Sequence, residues 1–154
     1  MGLILQIEEV HQHLEDHSLL TPELKETLVY AQVMPSTGQL LLFGSYATLM
    51  NGAYYVMGLE AERVVLVPLN KLTGKIDKKV EPVFIPHEEL VDVYSKKGRM
   101  MNSVTFTGDE QALTVKISKV ALGMRWHKEH IQRFMDGVME LEAKVATNQT
   151  KPIE

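Results

Sequence analysis

The sequence predicts an α+β protein, mainly β: an antiparallel meander capped by a C-terminal α-helix, with an extra helix at the N-terminus. Three observations carry this. Short apolar runs separated by turn residues fill Leu28 to Ile117, the punctuation of a β protein. Ile131, Phe134, Val138, Leu141 and Val145 keep the three-four spacing of one helical stripe. Leu3, Ile7, Val10, Leu14 and His17 repeat that spacing at the other end.

The elements follow in order. After the first helix, Thr21-Pro22-Glu23 starts a short second one, with Thr21 as N-cap and Pro22 at the first helical position. Leu28 to Val33 reads as strand. Pro35-Ser36-Thr37-Gly38 is a turn. Asn51-Gly52 is the strongest hairpin signal, because a type I′ turn needs φ > 0 at both central residues. It should pair Met50 with Ala53, Thr48 with Tyr55 and Tyr46 with Met57. Arg63 to Val67 is a buried strand stopped by Pro68. Val80 to Ile85, broken by Pro82 and closed by Pro86, fits an edge strand. Leu90 to Tyr94 is strand, stopped by Lys96-Lys97-Gly98. Val104 and Phe106 alternate with Ser103, Thr105 and Thr107. Leu113, Val115 and Ile117 alternate with Thr114 and Lys116, a strand with one wet face. Gly137 interrupts the last helix at a cost of roughly 1 kcal/mol against alanine, which marks close contact with a sheet.

Composition narrows the function. The 154 residues suit one domain, and 45% hydrophobic with 23% charged suits a soluble globular chain. With no cysteine, disulfides and thiolate chemistry are excluded. A net charge of −4 argues against nucleic acid as a partner. The stretch MGLILQIEEV has no positive n-region, so no secretory signal is expected and the cytoplasm is the expected location.

The middle of the chain resembles the bacterial pleckstrin-homology-like domains of the YokE-like kind. The run from Tyr55 to Pro68 is similar to that family's hairpin: a strand, a short polar turn, an Arg, then an apolar strand. Phe84 to Gly98 is similar to its strand pair linked through an Ile-Pro corner, here Ile85-Pro86. Asn102 to Ile117 resembles its last hairpin, and Ile131 to Leu141 its closing helix. The likeness covers residues 27–146. It implies a PH-like fold of two antiparallel sheets, a barrel or sandwich of seven strands, with the helix plugging one open end. Leu40 to Met50 is then a surplus eighth strand. The division expected is a helix over residues 1–20, the PH-like domain over 21–146 and a flexible tail over 147–154.

Histidines offer the first candidate site. In HQHLEDH, His13 and His17 share one helical face, and Glu9 lies four residues before His13, a spacing zinc can use. A zincin needs Glu directly after the first His, and Leu14 stands there. The dull reading is a wet helix face, with His17 suiting the helix C-terminus. A second cluster, Arg125-Trp126-His127-Lys128, opens the last helix. Positive groups there oppose the helix dipole unless an anion is bound, so Arg125, His127 and Lys128 are the anion-binding candidates.

Other chemistry is thin. Ser45 lacks the strand-turn-helix elbow of a nucleophile, and His87-Glu88-Glu89 reads as a solvated corner. Membrane lipid is not expected, because no Lys or Arg lies between Lys25 and Arg63. The uncharged stretch through Tyr46, Tyr55 and Met57, with the stripe of Leu3, Ile7 and Leu14, is the interface candidate. The competing reading folds that helix back on its own sheet.

The sequence therefore points to a non-enzymatic binding or scaffolding module without a cofactor. Its expected partner is a second copy of the chain or another protein. The alternative is a metal hydrolase using Glu9, His13 and His17.

Overall fold

A computed structural model describes residues 5–34, 54–70, 72–108, 112–119 and 124–150. Helices α1 (Ile7–Asp16) and α2 (Pro22–Thr27) come first. Strands β1 (Val29–Val33), β2 (Tyr54–Leu59), β3 (Arg63–Pro68) and β4 (Val83–Pro86) follow. A 3-10 turn (His87–Glu89) leads to β5 (Asp92–Lys97), β6 (Met101–Thr107) and β7 (Ala112–Ser118), and α3 (Arg125–Thr150) ends the described chain. Leu3, Tyr46, the Asn51-Gly52 turn and the surplus strand from Leu40 to Met50 lie outside the described residues.

Local chemistry sets the helix starts. The Glu9 carboxylate accepts the Gln6 backbone N–H at 2.9 Å, closing the first turn of α1. Thr21 caps α2 as expected, its Oγ1 accepting the Leu24 N–H at 3.2 Å. The Thr27 hydroxyl accepts the Leu59 N–H at 2.9 Å and so ties α2 to β2. α3 runs to Thr150, through the start of the expected tail.

The strands form one seven-stranded antiparallel sheet in the order β4-β3-β2-β1-β7-β6-β5. It is continuous where two sheets were expected, because β1 hydrogen-bonds on both edges: to β2 along Val29–Gln32 and to β7 at Gln32 and Val33. The end strands β4 and β5 do not pair, so the sheet is not closed into a barrel. The Asn51-Gly52 register does not hold either. Tyr55 pairs with Ala31 and Pro68, and Met57 with Val29 and Leu66, so both edges of β2 are occupied.

Two cores explain the two kinds of strand. On one face α3 places Phe134, Met135, Val138, Leu141 and Val145 against inward residues of the whole sheet, among them Met57, Val64, Leu66, Val104, Phe106 and Val115. On the other, α1 and α2 place Val10, Leu14, Leu24 and Leu28 against Val56, Val65 and Val67. Strands β2 and β3 are thus buried on both faces and read as unbroken apolar runs. Strands β6 and β7 are buried on one face only and alternate. The N-terminal stripe therefore covers its own sheet and shares its core.

Glycines permit the close approaches. A Cβ on Gly137 would lie 2.7 Å from Leu59 Cδ1, so the glycine in α3 marks contact with the sheet, as its position suggested. A Cβ on Gly58 would meet Leu24 Cδ2 at 2.7 Å and Leu28 Cδ2 at 3.0 Å on the opposite face. Among the described residues, no helix is long and apolar enough to cross a membrane.

Candidate binding cleft

The anion-binding candidates do not converge. Arg125 and Lys128 are exposed, but His127 is fully buried. Its Nδ1 accepts the Tyr30 backbone N–H at 2.9 Å, which makes Nε2 the protonated nitrogen, and Nε2 donates to the Ser118 carbonyl. Both ring nitrogens are engaged with backbone, so none is left for an anion. Burial holds its pKa below the ordinary imidazole value, against the opposing pull of the Ser118 carbonyl. Trp126 is buried beside it and donates Nε1–H to the Leu5 carbonyl at 3.2 Å, pinning the start of α1. His130 donates Nδ1–H to the Leu28 carbonyl at 2.9 Å.

The metal set does not assemble either. The Glu9 carboxylate accepts from the Lys75 ammonium at 2.7 Å, and that hydrogen bond holds its pKa below the ordinary carboxylate value. His17 donates Nδ1–H to the His13 carbonyl at 2.9 Å, closing the end of α1. His13 is buried, with Nε2 unpartnered, and burial lowers its pKa. A cavity of about 620 Å³ beside it is lined by Lys75 and Lys78 as well as by Glu8, Glu9 and Asp16. The Lys75 ammonium already occupies the Glu9 carboxylate. No group of three potential ligands converges on a metal among the described residues.

The interface candidates within the described residues are Ile7, Leu14, Tyr55 and Met57, and they belong to the core. Leu14 and Met57 are fully buried, Tyr55 is nearly so, and Ile7 packs on the α1–α2 core. Their apolar surface is covered within the chain.

The concave surface lies elsewhere, between α2, α3, the β2–β3 turn and the corner after β4. One cavity of about 290 Å³ is floored by Leu59, Gly137 and Leu141 and rimmed by Glu23, Glu26, Glu60, Asp136 and Glu140, with Arg133 and Lys144. A neighbouring cavity of about 510 Å³ is lined by Arg63, Phe84, Pro86 and Val145. His87 and Lys144 line both. Arg63 pairs with Glu60 and stands over the Phe84 ring, 4.4 Å from its centroid. Arg133 pairs with Glu26 at 3.2 Å. No family model and no curated protein matches the chain.

His87 is the residue that sequence reasoning missed. It opens the 3-10 turn, held there by its backbone N–H to the Glu62 carbonyl at 2.8 Å. The turn has no buried residue, as a solvated corner should, yet both His87 ring nitrogens are shielded from solvent. Burial first, then the Lys144 charge, push its pKa below the ordinary value. The imidazole lies between the two cavities. The signal available in sequence was Ile85-Pro86-His87.

Proposed function

We propose that the chain is a non-enzymatic binding module of the bacterial pleckstrin-homology-like type, acting in the cytoplasm, whose partner is a protein and in the first place a second copy of itself. Seven strands followed by one long helix is the order that the resemblance implies. β1 shared between a β4-β3-β2-β1 half and a β7-β6-β5 half supports reading the sheet as two halves of such a fold. The observation that carries the binding role is the cleft beneath α3. It is concave and apolar at its floor, and it carries charged groups at its rim.

Sedimentation velocity over a range of concentrations tests this reading. Reversible self-association below about 1 mM, a binding free energy of roughly −4 kcal/mol or stronger, is the expected result. A chain that stays monomeric at that concentration contradicts it.

A further inference from the structure

The β5–β6 turn forms a cationic corner. Lys96, Lys97 and Arg99 lie on it, and the register sets Lys96, Ser103 and Lys116 in one row across β5, β6 and β7. Lys119 joins them, donating its backbone N–H to the Met100 carbonyl at 3.0 Å. All five cations are exposed, and none forms an ion pair among the described residues. Met100 and Met101 stand among them, 71% and 43% exposed. A basic turn with two exposed methionines is an unusual feature for a chain of net charge −4.

The same chain carries the counterpart. The α2–α3 cleft has an apolar floor at Leu59 and Leu141 and more carboxylates than cations on its rim. Arg133 answers Glu26 and Arg63 answers Glu60. Glu23, Asp136 and Glu140 are exposed and have no ion-pair partner among the described residues.

We infer that the β5–β6 turn of one copy seats in the α2–α3 cleft of a second copy. Met100 faces Leu59 and Leu141, and Lys97 and Arg99 face Glu23, Asp136 and Glu140. This rests on the reading that the chain binds itself, and it names the two surfaces. An acidic partner of another kind would account for the corner but leave the cleft unexplained. A basic peptide would do the reverse. One contact between copies satisfies both. The two surfaces differ, so the contact is heterologous: copies add head to tail until a ring closes, or run on. The contact between exposed charges weakens as salt screens it.

Two charge-reversal variants of the full chain, Lys97→Glu/Arg99→Glu and Glu23→Lys/Glu140→Lys, test this by sedimentation velocity. All four positions are exposed, and circular dichroism checks that the fold is kept. The wild type should associate at about 50 mM salt and lose at least about tenfold in affinity by about 500 mM. Each variant alone should be monomeric. Mixed, native corner meets native cleft and reversed corner meets reversed cleft, so association should return. Variants that still self-associate, or a mixture that stays monomeric, would overturn the surface assignment and leave self-association standing. A monomeric wild type would remove the underlying reading and this inference with it.

Discussion

The backbone N–H of Tyr30 donates to Nδ1 of His127, and the same imidazole donates from Nε2 to the carbonyl of Ser118. The position of this bridge explains it. Strands β1 and β7 pair at Gln32–Lys116 and Val33–Val115. Continuing that register, Tyr30 would face Ser118. The strands part there, and the ring fills the gap as donor and acceptor at once. A buried backbone group left without a partner is costly, so the point where the sheet splays is also the point where α3 is fastened.

His127→Ala leaves the Tyr30 N–H and the Ser118 carbonyl unsatisfied at about 1–3 kcal/mol each, and opens a cavity besides. The expected loss is about 3–5 kcal/mol, read as a lower urea midpoint with an unchanged slope. A loss below about 1 kcal/mol would show that water replaces the ring.

Acid should destabilise the protein well above the carboxylate range. His11, His13, His87 and His127 all have folded-state pKa values pushed down, burial being the largest cause in each. A depressed pKa means that the unfolded chain binds more protons in the window between the two values. Stability is therefore full above the ordinary value near 6.5 and is lost as pH falls toward the folded value, at up to about 1.4 kcal/mol per pH unit for each histidine. Urea titrations at several pH values should show that slope, smaller in His127→Gln. A flat profile from neutral pH down to about pH 5 would contradict the burial of these rings.

Much of this fold was legible, and the parts that were not share a cause. Leu113, Val115 and Ile117 alternate because one face of β7 is wet, and the period shows it. Thr21 caps α2 because a hydroxyl answers an N–H within one turn. Both are local matters. The partner of the N-terminal stripe was open, since only the assembled sheet shows that the outer face of β1–β3 needs a cover. His127 was misread because a histidine in the first turn of a helix looks like a surface cation until β1 and β7 are seen to part beside it. The shielding of the His87 ring nitrogens was hidden for the same reason: the groups around the ring, Ala61 to Arg63 and Lys144, are distant in sequence.

Gly58→Ala should destabilise by about 1–3 kcal/mol, the usual cost of overpacking. The added methyl would meet the Cδ2 methyls of Leu24 and Leu28, both fully buried, which must shift to admit it. Thermal unfolding reads the shift. A neutral result would mean that α2 can lift from β2.

Glu142 guards the free edge of β5. One carboxylate oxygen accepts both the Ser95 backbone N–H at 3.0 Å and the Ser95 hydroxyl at 2.9 Å. β5 is an end strand, so this group would otherwise face solvent or another strand. Glu142→Ala should cost about 1–2 kcal/mol and speed hydrogen exchange at the Ser95 amide. Unchanged exchange there would show that α3 shields the edge without the carboxylate.

The most direct measurement is the scalar coupling across the hydrogen bond between the Tyr30 amide nitrogen and His127 Nδ1, read by nitrogen-detected NMR on labelled protein. The expected result is a resolved coupling at neutral pH, with Nε2 carrying the proton. A ring protonated at Nδ1, or one titrating with an ordinary imidazole pKa and no coupling to Tyr30, would contradict the junction of β1, β7 and α3 on which the cleft is built.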